Sequence, residues 1–141
     1  MTTDTDQSTD VAANLTAVRE KIAAAAREVG RDPSSVSLIA VSKSHPAPAA
    51  RSALDAGHRT FGENRVQEAQ EKWPPLRGDF PDAEVHLIGP LQTNKTADAV
   101  ALFDAIQTLD RDKLARNLAQ EIDRSGRRPA LFVQVNTGEE P

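Results

Sequence analysis

The chain has 141 residues, 38% of them hydrophobic, which supplies one folded domain with a core and excludes a disordered chain. Its net charge is -4, but Asp4, Asp6 and Asp10 sit in the first ten residues; the remaining 18 acidic and 17 basic residues make a near-neutral body, with no electrostatic case for nucleic acid or an anionic membrane. With no cysteine there is no disulfide framework, thiol nucleophile or thiolate metal site, and the absence of tyrosine removes one common acid/base group.

Residues 1–10 carry no apolar anchor and read as a disordered acidic tail that reaches a helix cap at Thr9 or Asp10. They also lack the basic and apolar regions of a secretion signal, and no later stretch is long enough to span a bilayer, so the expected setting is cytoplasmic. Val11, Leu15, Val18, Ile22, Ala25 and Val29 then recur at steps of four and three, one face of a helix that Gly30 ends. Val36 to Lys43 follows, an apolar run bounded by Asp32-Pro33 and Pro46, which suits a strand buried on both faces in a parallel α/β sheet. A helix opens near Pro46 and Pro48 and ends at Gly57. Arg59 to Phe61 form a short strand running into Gly62-Glu63-Asn64, and a helix through Val66, Ala69 and Trp73 breaks at Pro74-Pro75, leaving Leu76 to Ala83 as a long loop. Val85 to Ile88 are the third strand, and Leu91 to Lys95 lead to a helix through Ala97, Val100 and Leu102. Ala105 to Leu109 are the fourth strand; Asp112 caps a helix with the stripe Leu114, Leu118 and Ile122, stopped by Gly126; Ala130 to Val135 are the fifth.

Strands alternating with helices at this spacing are expected of βα units in a (β/α)8 barrel, of which about five strands are present. An open doubly wound sheet is the competing architecture, although no Gly-x-Gly-x-x-Gly turn follows the first strand. In a parallel barrel the strand ends share one rim, which would gather Lys43, Glu63, Asn64, Gln92, Asn94, Lys95, Thr108, Asp110 and Asn136 around one pocket. With period-two alternation Lys43 shares a face with Ser37, Ile39 and Val41, and desolvation there would favour its neutral amine, a nucleophile for a carbonyl. A lysine capping a strand in solvent is the other reading. Glu63, Asn64 and Asn94 also suit helix caps, and His86, inside a strand, suits a satisfied core histidine. His45, His58 and His86 have no metal-ligand spacing, so no metal is expected.

Ala40-Val-Ser-Lys-Ser, Phe61-Gly-Glu-Asn-Arg-Val-Gln-Glu-Ala and His86-Leu-Ile-Gly-Pro-Leu-Gln-Thr-Asn-Lys95 closely resemble the pyridoxal phosphate homeostasis proteins. Thr108-Leu-Asp-Arg and Val133-Gln-Val-Asn136 continue the resemblance, which spans residues 11–141. It implies the barrel fold of the alanine racemase amino-terminal type and pyridoxal 5'-phosphate held as a Schiff base on Lys43. Asn64 matches the family's ring-neighbouring asparagine, and His86 falls in the third motif as a further cofactor-binding residue. The resemblance implies a cofactor carrier or buffer in vitamin B6 balance rather than an enzyme, with pyridoxal phosphate-dependent apoenzymes as acceptors and a monomer at full length. The family pattern runs on past the fifth strand to phosphate-binding loops, so the 141 residues are expected to be the amino-terminal portion of such a barrel, able to present Lys43 without the main phosphate grip. A racemase or decarboxylase barrel is the enzyme alternative; such enzymes draw a Tyr or Cys acid/base from an added domain, and this chain has neither residue. A cofactor-independent Schiff-base aldolase would fit the lysine alone.

Overall fold

A computed structural model describes residues 3–42 and 47–138, with side chains from Val11 onward. Lys43 and His45 lie outside the described residues. The first helix, α1, spans Thr3–Glu28 and so begins well before the expected cap at Thr9 or Asp10. The stretch read as a disordered tail is helical from Thr3. The stripe of α1 is also rotated from expectation: Ala26 is buried, whereas Val18 and Val29 are 41% and 76% exposed.

After a short 3-10 turn at Pro33–Ser35, the strands and helices alternate: β1 (Ala40–Val41), α2 (Ala47–Asp55), β2 (Thr60–Glu63), α3 (Val66–Asp79), β3 (Glu84–Leu87), α4 (Thr96–Leu102), β4 (Ala105–Leu109), α5 (Asp112–Ser125) and β5 (Ala130–Val133). All strand pairs are parallel and the order is β1-β2-β3-β4-β5. A doubly wound sheet reverses direction at a switch point. Here each strand is laid beside the one before it, and the helices pack in the same succession, α1 on α2 through α4 on α5, which is the winding of a barrel wall.

The core lies between that wall and the helices. Phe61, Val85, Leu87 and Ile106 project from one side of the strands and are buried with Trp73, Leu76, Phe103, Leu114 and Leu118. The opposite, inner face is only half covered at Ile39, His86, Ile88 and Gln107. The first strand differs from the expectation of burial on both faces. Only Ala40 and Val41 of the first apolar run pair with β2, because the chain before β2 is a turn closed by the Gly57 and His58 amides; Val41 is 46% exposed. At the other edge Leu131, Phe132 and Val133 are 40%, 51% and 72% exposed.

Two helix boundaries also depart from the sequence. Pro74 and Pro75 do not end α3, which runs on to Asp79. Proline φ is already helical, Leu76 is buried in the core, Arg77 binds Leu102 O (2.6 Å) and Asp104, and the Phe80 amide closes the last turn on Leu76 O, so packing outweighs the lost backbone donors. Asp112 is the first residue of α5 rather than its cap; Arg111 occupies that position with no side-chain bond. Gly126 ends α5 as expected, in the left-handed conformation (φ 76°) with its amide on Ile122 O.

Candidate functional site at the carboxyl ends of the strands

β1 delivers the chain to Ser42, the last described residue before Lys43, and all three polar groups of Ser42 are engaged. Its amide donates to Gly62 O (3.0 Å), its hydroxyl donates to Glu63 Oε2, and its carbonyl accepts from Lys72 Nζ (2.6 Å). Glu63 is fully buried at the end of β2, on the helix side of the sheet. Besides the Ser42 hydroxyl, Oε2 accepts from Lys72 Nζ (3.0 Å) and Trp73 Nε1 (2.9 Å), whereas Oε1 is buried with no partner among the described residues. Lys72 leans on Glu68 as well, 3.6 Å away, and its side chain is 6% exposed.

Glu63 is thus neither a helix cap nor a rim residue, and the expectation that it faces the pocket is corrected. The pleat sends neighbours to opposite sides, so Glu63 turns under α3 while Asn64 stays at the rim. Thr108 is buried and donates to Gly89 O (2.9 Å), and it stays at the rim, where it lines a cleft. Asn64 does not cap α3, whose cap position is Arg65, and Asn94 lies exposed in the 3-10 turn Thr93–Lys95 without capping α4. Lys72 went unread from sequence. It stands three residues after Ala69 on the apolar stripe of α3, and a charge on a core face was the available signal.

The remaining rim residues gather around two neighbouring clefts that meet at Pro90. One, of about 470 Å³, is lined by Asn64, Gln67, Gln92 and Lys95; the other, of about 660 Å³, by Ile88, Thr108, Asp110 and Asn136. Gly89 brings the two strand ends together: a Cβ there would overlap the Asn64 carbonyl and stand 2.9 Å from the Asn64 Cα, so only glycine allows this approach. His86 sits one pleat below Ile88 on the inner face and pairs in register with Gly62. The Gln107 amide donates to His86 Nδ1 (2.9 Å), which leaves the proton of the neutral ring on Nε2, 3.8 Å from Glu84. Among the described residues no group of three or more His, Cys, Asp or Glu could hold a metal ion.

His58 is away from this rim, buried between α1 and β2. Arg19 donates to Nδ1 (2.7 Å) and Nε2 donates to Thr60 O (2.6 Å). Burial pushes its pKa below the usual 6.5; the Thr60 bond opposes this, and the nearby Arg19 and Arg59 charges add to it.

The parallel wall and its rim define a class, and the pattern of the family described as alanine racemase, N-terminal domain, matches residues 13–140. The chain belongs to that family. Within it, the chain is similar to the pyridoxal phosphate homeostasis protein of Escherichia coli (strain K12), 42% identical over 134 residues, covering 93% of this chain and 56% of that protein. Its fold is similar to that of PipY of Synechococcus elongatus PCC7942, solved with PLP bound: TM-score 0.80, 43% identity, 92% of this chain and 56% of PipY. A solved protein from Bifidobacterium adolescentis superposes with TM-score 0.89 at 28% identity, over 96% of this chain and 58% of its own. The chain spans about half the length of the curated relatives it matches.

Proposed function

We propose that this chain forms the lysine-bearing part of a pyridoxal 5'-phosphate-binding barrel that keeps the cofactor in intracellular balance, holding it as a Schiff base on Lys43. The observation that carries the reading is the PipY structure with PLP bound, because the present wall superposes on it at 43% identity. The rim fits such a ligand. Asn64, Gln92 and Lys95 offer amide and ammonium donors to oxygen anions, in a cleft of a size that takes small molecules. Lys43 follows Ser42 at the wall's edge, and its amine would condense with the aldehyde, forming a C=N bond and releasing water. Asn64 and His86 are the further cofactor-binding residues in this reading, Asn64 from the rim and His86 from the inner face. When bound, the cofactor supplies an electron sink; the chain's residues bind and orient it.

A carrier or buffer role accords with relatives named for homeostasis; apoenzymes as acceptors, a cytoplasmic setting and a monomeric full-length protein complete the proposal. No described helix is long and apolar enough to cross a membrane. The second reading is an amino-acid racemase or decarboxylase, favoured by the match to the alanine racemase domain; these 141 residues offer it neither Tyr nor Cys as acid/base.

Pyridoxal phosphate added to the full-length protein should give absorbance at the visible edge, and borohydride should fix its mass on the peptide containing Lys43. Label elsewhere, with Lys43→Ala unchanged, rejects the reading. Solvent deuterium entering any amino acid at a catalytic rate would favour the enzyme instead.

A further inference from the structure

We propose that Lys72, oriented by Glu63, is a positioning residue for Lys43: its ammonium grips the carbonyl of the peptide that joins Ser42 to Lys43 and thereby aims the Lys43 amine. The inference rests on the reading of Lys43 as the cofactor lysine.

β1 is the weakest part of the wall. It is an edge with two paired residues, and Val41 beside Ser42 is 46% exposed. An edge of that length does not by itself fix the direction in which the chain leaves it. The Ser42 peptide is nevertheless held from both ends, its hydroxyl by Glu63 and its carbonyl by Lys72 at 2.6 Å. A charge-assisted bond of that length is strong and directional.

Packing alone does not call for this arrangement. A lysine and a glutamate sealed under a helix, at 6% and 0% side-chain exposure, give a fold little that apolar side chains of the same volume would not give. The carboxylate is also used unevenly, with Ser42, Lys72 and Trp73 all on Oε2 while buried Oε1 has no partner among the described residues. A carboxylate placed only to neutralise Lys72 would have no need of the Ser42 hydroxyl. This one is oriented toward the residue that precedes Lys43. In the condensation the Lys43 nitrogen forms the C=N bond as water leaves; Lys72 exchanges no proton and acts only through the peptide.

The test compares the full-length protein with Lys72→Met/Glu63→Gln, which removes both charges together and keeps an amide for Trp73 and Ser42. Circular dichroism and thermal melting establish that the pair folds. Three quantities are then read: the rate of Schiff-base formation with pyridoxal phosphate, its pH profile, and competitive acetylation of Lys43 against Lys113 in the cofactor-free protein. The expected result is a rate lower by roughly tenfold or more, with a displaced pH profile and altered acetylation of Lys43 but not of Lys113. A folded pair with parental rate, profile and acetylation overturns the proposal. If the pair does not fold, Ser42→Ala, which loses only the hydroxyl bond, decides by the same readings, and parental values there overturn it too. Should the parent form no adduct while Lys43 acetylation still responds to the pair, the cofactor reading fails and the positioning role stands.

Discussion

The two faces of the sheet divide the work between them. Toward the helices, Phe61, Glu63, Val85, Leu87 and Ile106 are almost wholly enclosed, and the polar members there are tied into fixed networks. Toward the inside, Ile39, His86, Ile88 and Gln107 remain half open. Adjacent residues of one strand therefore serve opposite ends: Glu63 braces the wall from behind while Asn64 lines the cleft in front. Chemistry that looks contiguous in sequence is separated by the pleat.

Charge removal on the enclosed face should break that contrast most severely. Lys72→Met alone strands the Glu63 carboxylate under α3, and about 3–5 kcal/mol of stability should be lost, measured by urea unfolding. A loss below about 1 kcal/mol would mean that water reaches the carboxylate and that the face is not sealed. Gly89→Ala tests the seam between the faces. Its Cβ collides with Asn64 backbone, which cannot rotate away, so about 1–3 kcal/mol should be lost together with the first cleft's shape.

His58 gives a smaller effect with a defined sign. Its folded pKa lies below the unfolded 6.5, so the folded state binds fewer protons there. The stabilisation is complete above that value and is lost as pH falls through the depressed folded pKa. Unfolding midpoints followed downward from neutral pH should decline, and His58→Gln should flatten the decline; an unchanged slope would show that burial and the Arg19 charge do not hold the ring neutral. Smallest for stability is Phe132→Lys on the exposed β5, within about 0.5 kcal/mol. The same change should reduce self-association in sedimentation runs, because β5 is an apolar edge free to pair.

Much of the architecture was legible because apolar spacing reports which face of an element is buried. The alternation of five strands with helices, the limits of β4 and the stop at Gly126 all follow from local pattern. The missed boundaries share a cause, that long-range contacts override local preference. Pro74 and Pro75 read as a break, yet Leu76 and Arg77 anchor the turn beyond them. The apolar run from Val36 read as a fully buried strand, yet an edge position leaves its inner side open. Of the candidate site, the ordered motifs drew attention to the rim, where Asn64, Gln92 and Lys95 line one cleft and Asp110 and Asn136 the next. They gave no hint that Glu63 turns away from it.

By itself the sequence determined the element types and their order, since helical and strand periodicities are properties of neighbouring residues. Only the tertiary structure decided the strand order that makes a barrel wall, the burial of Lys72 against Glu63 and the grip on Ser42. These depend on residues 9 to 30 positions apart meeting in a low-dielectric interior, and no local pattern encodes that meeting.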